Sequence, residues 1–294
     1  MKTLLQTLIA TALLTPMLAW PQGNAALPEP LQGMPRAGES CKSDAPTARV
    51  TAQGAPAQPS LACMAPAGAV QASVAGGTLT VVDARLEPEF QRFHIPGALN
   101  VLPGSLLHRP ALRAKPLLLV GDGKNARELY AACARLRQAG FTSVRVLAGG
   151  MVSWVADGLP LRGRAPLAHE LAALDAAQLW AEGQYADNLV VVAGKAAGYT
   201  DHLPYAVALD SLSPASLAAL VQQRRKEAGA LPAAVVLVWA QAMTDETYRP
   251  LAAAVAPSGL LVYAGTPASL SQFVASQKAV WAAQARGPKQ PRCG

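Results

Sequence analysis

The sequence predicts an α/β protein built as two tandem units, each a mostly parallel sheet with helices on both faces. Three observations carry this expectation. Short apolar runs of strand length alternate with segments of helical periodicity, the order expected of parallel strands covered on both sides. One of these runs, Leu117–Val120, breaks into a Gly-rich polar loop and then opens a helix. The pattern of the first half then recurs, more faintly, in the second. A chain of 294 residues with 51% hydrophobic and 15% charged residues can bury two ordinary cores, and at 5% aromatics those cores must be built from small aliphatic side chains.

The N-terminus has Lys2, an apolar run from Leu4 to Leu18, and small or turn-forming residues through Ala25 and Ala26. This is the layout of a secretory signal peptide over 1–25, with an uncleaved anchor as the alternative. The run is short for a bilayer span of about 20 residues. No later stretch is long and apolar enough to span a membrane, so the expected mature protein is periplasmic or secreted from a bacterium. Residues 26–62 are rich in Pro, Ala, Gly and Ser without periodicity and read as an extended arm. The formal net charge of +7 is dispersed, without the basic stripe and interleaved aromatics of a nucleic-acid binder.

Four cysteines, Cys41, Cys63, Cys133 and Cys293, occur without any C-x-x-C spacing, which gives a zinc site little support. In an oxidising compartment Cys41 and Cys63 are the disulfide candidates, because they bracket a segment with little core of its own, and Cys293 competes for either partner. Cys133 falls on the apolar side of a helix and reads as a core residue.

In order along the first unit, 63–161, Ala67–Val74 reads as a short helix and Thr78–Val82 as a buried strand ending in Asp83-Ala84-Arg85. Glu87–Phe93 is a short helix or turn, and His94-Ile95-Pro96-Gly97 forces a loop before another short strand. Strand Leu117–Val120 leads to the loop Gly121-Asp122-Gly123-Lys124-Asn125-Ala126-Arg127. Such a strand-loop-helix unit aims backbone N–H groups and a helix N-terminus at one small volume, which makes an anion cradle. Arg127–Gln138 is helical, with Leu129, Ala132, Cys133 and Leu136 on one face and Gly140 as its stop. Val144–Leu147 is a further strand, followed by Ala148-Gly149-Gly150 and Trp154.

These residues resemble a rhodanese (sulfurtransferase) domain. The resemblance is carried by Val81–Arg85, Glu89-Phe90, His94–Asn100, Leu117–Arg127, Gly140-Phe141, Val146–Gly150, Trp154 and Gly158-Leu159-Pro160, in the family's order, and covers about Ala67 to Pro160. After a linker at 162–173, the second unit, 174–294, echoes it. Leu174–Ala181 matches the lead-in helix, Leu189–Ala193 the first strand, and His202–Val207 the His94–Leu99 loop. Val235–Val238 matches Leu117–Val120, and Leu260–Gly265 the strand ending in Ala148-Gly149. The resemblance therefore implies two tandem rhodanese-like domains, the second degenerate.

In that family the residue ending the central strand is a cysteine whose thiolate carries a sulfane sulfur, activated by the surrounding N–H groups. The positions matching it here are Gly121 and, in the second unit, Trp239, so the resemblance implies the fold and the cradle without the nucleophile. Asp122, inside the cradle, either fills the N–H nest internally or repels an incoming anion. Lys124 and Arg127 are the positive counterweights. Asp83 reads as a loop-ordering carboxylate beside Arg85, and His94 as a hydrogen-bonded structural histidine. Ser105 and Ser153 belong to no nucleophile motif, and His108, His169 and His202 are scattered, so neither a metal nor a cofactor is expected. Two functions stay open. One is a non-catalytic exported protein that binds an unidentified protein partner or a small anion. The other is a sulfurtransferase acting through a non-standard thiol such as Cys293 on the basic C-terminal tail.

Overall fold

A computed structural model describes residues 60–195 and 197–285. The leader, most of the arm, Cys41 and Cys293 lie outside the described residues.

Where the chain begins, Leu61–Cys63 makes a single 3-10 turn before strand β1, Met64–Ala65. Helix α1, Ala67–Ala75, starts after the extended Pro66 and stops at Gly76 and Gly77. It leads into β2, Thr80–Asp83, then α2, Glu87–Arg92, with Pro at its N-terminal turn. Next come the short β3, Phe93–His94, β4, Leu99–Asn100, and α3, Pro103–Leu106. Strand β5 is Leu117–Val120, α4 is Ala126–Gln138, β6 is Val144–Leu147 and α5 is Gly150–Ala156. The segment read as a linker carries β7, Arg162–Gly163, paired antiparallel with β3, and a one-turn helix α6, Ala168–Leu171.

The second half runs through α7, Ala176–Gly183, β8, Leu189–Ala193, β9, Ala206–Leu209, α8, Pro214–Ala228, and β10, Ala234–Val238. It ends with α9, Asp245–Val255, β11, Gly259–Tyr263, and α10, Pro267–Ala285. Asp175 caps α7 by accepting the Gln178 N–H at 2.8 Å, and Ser213 caps α8 in the same way.

Two parallel sheets result, one of strand order β1-β6-β5-β2-β4 and one of order β11-β10-β8-β9. The second acquires a counterpart of β1 where Ala173 bridges Val262 of β11 in parallel. The α/β expectation with helices on both faces is borne out. Along β5 the strand period of two sends Leu117 and Leu119 to one face, with Val82, Tyr130 and Leu136. Leu118 and Val120 go to the other, with Val70, Met151 and Trp154. The second sheet divides likewise, Val235 and Leu237 facing Leu217 and Leu251, Val236 and Val238 facing Leu179 and Leu270.

The cysteine expectation is corrected. Cys63 is joined to Cys133, not to Cys41, and both are fully buried. The reason is the sheet edge. Strand β1 pairs with β6, α4 packs over β6, and so the residue just before β1 meets the apolar face of α4. Cys133 is a core residue, as expected, but not a free thiol.

Candidate functional site

In an open parallel sheet, the crevice outside the carboxyl ends of the strands opens where the connections diverge to opposite sides. In the first sheet that point lies between β2 and β5, which places Asp83 and Gly121 on its two banks.

On the β2 bank, Asp83 is 1% exposed and accepts the Arg85 backbone N–H at 3.0 Å and its guanidinium at 2.6 Å. Arg85, itself buried, also donates to the Phe93 carbonyl at 2.7 Å and lies over the Phe93 ring. Asn100 donates to the carbonyls of Asp83 and Arg85, which fastens β4 to the same turn. His94 stacks on Phe90 and holds its Nδ1 at 2.8 Å from the Phe90 carbonyl oxygen. These residues wall the crevice, and the Asp83 carboxylate is taken up by Arg85.

On the β5 bank, the loop 121–125 lies flat against the N-terminus of α5. The N–H of Met151 donates to the Gly121 carbonyl at 2.8 Å and that of Val152 to the Asp122 carbonyl at 3.2 Å. This approach demands a glycine at 150, with φ of 55°, where a Cβ would sit 2.5 Å from the Gly121 oxygen and 2.6 Å from the Gly123 nitrogen. At position 121 a Cβ would meet only the Leu129 Cδ1, at 2.8 Å, so a side chain there needs that leucine to shift.

Two of the cradle's N–H groups, those of Lys124 and Asn125, are taken by carboxylates of the same chain. Asp122 accepts the Lys124 N–H at 2.8 Å, filling the nest from within, and burial pushes its carboxyl above the usual range despite Lys124. The Asn125 N–H donates at 2.5 Å to Glu182, a residue of α7 that is 2% exposed. Lys124 and Arg127, the expected counterweights to a bound anion, turn to the second half instead. Lys124 donates to the Ala173 carbonyl at 2.7 Å, and Arg127 donates to Asp187 at 3.1 Å and stacks over Tyr185. What stays open is a cavity of about 280 Å³ bordered by Arg85, Glu89, Arg92, Asp122, Lys124 and Glu170, with acids and bases in equal number.

The sequence singled out the loop and both walls, and missed Glu182 and Asp187. A signal for Glu182 existed, because Leu179 and Glu182 stand one turn apart and both are buried, a charge set on the apolar face of α7. Trp239, at the corresponding place after β10, is half-buried and donates its backbone N–H to the Tyr263 carbonyl. No cluster of three or more His, Cys, Asp or Glu residues suited to a metal occurs among the described residues. Nor is any helix among them long and apolar enough to cross a membrane.

Residues 67–157 match the family model of the rhodanese-like domain. An uncharacterized protein of Escherichia coli, YibN, is 35% identical over 91 residues, which are 29% of this chain and 62% of YibN. The chain thus spans less than two thirds of that relative. Among solved structures, the Alr3790 protein from Anabaena is 27% identical with a TM-score of 0.30, over 34% of this chain and 82% of that one. The 3-mercaptopyruvate sulfotransferase SseA from Escherichia coli is 18% identical with a TM-score of 0.30, over 69% of this chain and 98% of that one.

Proposed function

We propose that this is a non-catalytic rhodanese-like protein, a pseudo-sulfurtransferase exported from a bacterial cell, that works by binding a protein partner. The observation that carries the reading is Gly121 at the head of the loop after β5, where sulfur carriage needs a thiolate. The described residues hold no free thiol, Cys63 and Cys133 being joined. In the second half the matching residue is Trp239. The shared strand order of the two sheets supports reading that half as a degenerate second copy of the domain.

A small anion is the weaker ligand, because Asp122 and Glu182 already accept two of the loop's N–H groups, those of Lys124 and Asn125. A protein partner is favoured by Leu86, Leu99 and Leu102, all exposed. They follow or lie in β2 and β4, the two segments that Asn100 ties together at the rim of the crevice. Export is supported by the leader-like N-terminus and by a disulfide, which persists in oxidising compartments.

The deciding experiment is a thiosulfate:cyanide sulfur-transfer assay on purified protein, with intact-mass detection of a persulfide. Neither turnover nor the added sulfur is expected. A robust rate abolished by Cys293→Ser would replace this reading with sulfur transfer through the C-terminal thiol.

A further inference from the structure

The contacts around the loop share a direction. Every cationic side chain of the stretch 121–127, and the N–H of Asn125, is engaged by the single segment Ala173–Asp187. Lys124 reaches both the Ala173 carbonyl and, at 3.3 Å, the Gln178 side chain. Helix α4 has no local cap, since its N-cap residue Asn125 sits in the left-handed region with φ of 49° and its side chain caps nothing. The cap arrives from 57 residues away as the Glu182 carboxylate.

A buried carboxylate is costly unless hydrogen-bonded. Glu182 has two donors, Asn125 N–H on one oxygen and Asn188 Nδ2 on the other at 2.8 Å. Asn188 is itself 3% exposed and also donates to the Glu182 backbone carbonyl, which fixes the end of α7. This is how a helix N-terminus holds an anion, with the anion belonging to the same chain.

We infer that Glu182 is the resident anion of the first half's cradle, a latch supplied in cis that takes the Asn125 N–H and couples the loop to the second half. The inference rests on the reading of the loop as a rhodanese-like cradle without its nucleophile. It assigns that cradle a use: the Asn125 N–H and the side chains of Lys124 and Arg127 serve the joint between the two sheets. Glu182 is a positioning residue, acting on the loop and not on a substrate.

Hydrogen exchange followed by mass spectrometry on the full chain tests it. In Glu182→Ala, amides of the 121–127 peptide should exchange at least about tenfold faster than in the wild type, the loss expected for a hydrogen bond to a charged group. Peptides covering β5 and β10 should keep their rates. Glu182→Gln, which retains an acceptor oxygen without the charge, should fall between, and decides the matter if the alanine variant does not fold. Unchanged exchange at 121–127 in the folded variant would overturn the latch, as would a uniform rise across both sheets. Sulfur transfer measured on the same wild-type sample separates the two ideas. Activity there would end the non-catalytic reading while leaving the latch standing, whereas unchanged exchange would end the latch alone.

Discussion

Cys63 and Cys133 are linked across 70 residues of chain, so that the turn before the edge strand β1 is stapled to the helix that follows the cradle. Closing a loop of that length removes enough unfolded-chain entropy to stabilise the fold by about 4 kcal/mol. Reduction, or Cys63→Ser, should lower urea stability by that order. Non-reducing peptide mapping should recover Cys63 with Cys133, and a Cys41–Cys63 peptide would contradict the pairing.

Gly150 lies against the backbone of Gly121 and Gly123, closer than any Cβ tolerates. Gly150→Ala must either push the loop off α5 or distort the helix start. We expect a loss of about 2–4 kcal/mol from the strained φ and the displaced contacts, with a lower Tm by calorimetry. A neutral substitution would mean that the loop does not rest on α5.

Arg85 and Asp83 form a pair sealed from water, while Arg249 and Asp245 form an exposed one. Arg85→Ala strands a buried carboxylate and should cost about 3–5 kcal/mol. Arg249→Ala should cost far less, because solvent screens that pair. Paired urea denaturation curves at pH 7 give the comparison, and similar losses would refute it.

Burial lifts the carboxyls of Glu182 and Asp122 above their ordinary values of 4.5 and 3.8. A folded-state pKa above the unfolded one means that the folded protein binds the proton more tightly. The stabilisation is therefore complete below the unfolded value and lost as pH rises through the folded one. The stability of the wild type relative to Glu182→Gln should thus increase as pH falls from 7 toward 4.5. Denaturation midpoints across that range check the sign, and a gap that widens toward alkaline pH would reverse it.

Restoring the sulfur-carrying residue should not restore the chemistry. In Gly121→Cys the new Cβ needs Leu129 to move, and the thiol would stand beside the Asp122 carboxylate, which disfavours a thiolate. Incubation with thiosulfate should leave the intact mass without an added sulfur. A persulfide on that variant would show that the cradle still supports transfer.

Most strands were legible from local pattern. Val144–Leu147 and Leu189–Ala193 coincide with β6 and β8, because β-branched runs bounded by turn residues have few other ways to bury themselves. The loop at 121–127 and the walls at Asp83, Arg85 and His94 were legible through spacing. Two things were not. The helical face of Cys133 points it to the core, but the sequence offers Cys41 as the partner of Cys63 because the two bracket a loose segment, whereas the observed partner, Cys133, is set by β1 lying beside β6. Nothing within α7 says which N–H group the Glu182 carboxylate meets.

The sequence by itself determined that the chain alternates strands and helices, that the loop after β5 starts with Gly121, and that no cysteine can be brought to that position by shifting the alignment. These are properties of short windows, governed by side-chain period and by the identity of single residues. Only the tertiary structure decided what fills the cradle. Asn125 meets Glu182 because the fold brings the end of α7 to the N-terminus of α4, a contact between residues 57 apart. A buried charge finds its partners through packing, which no local pattern encodes.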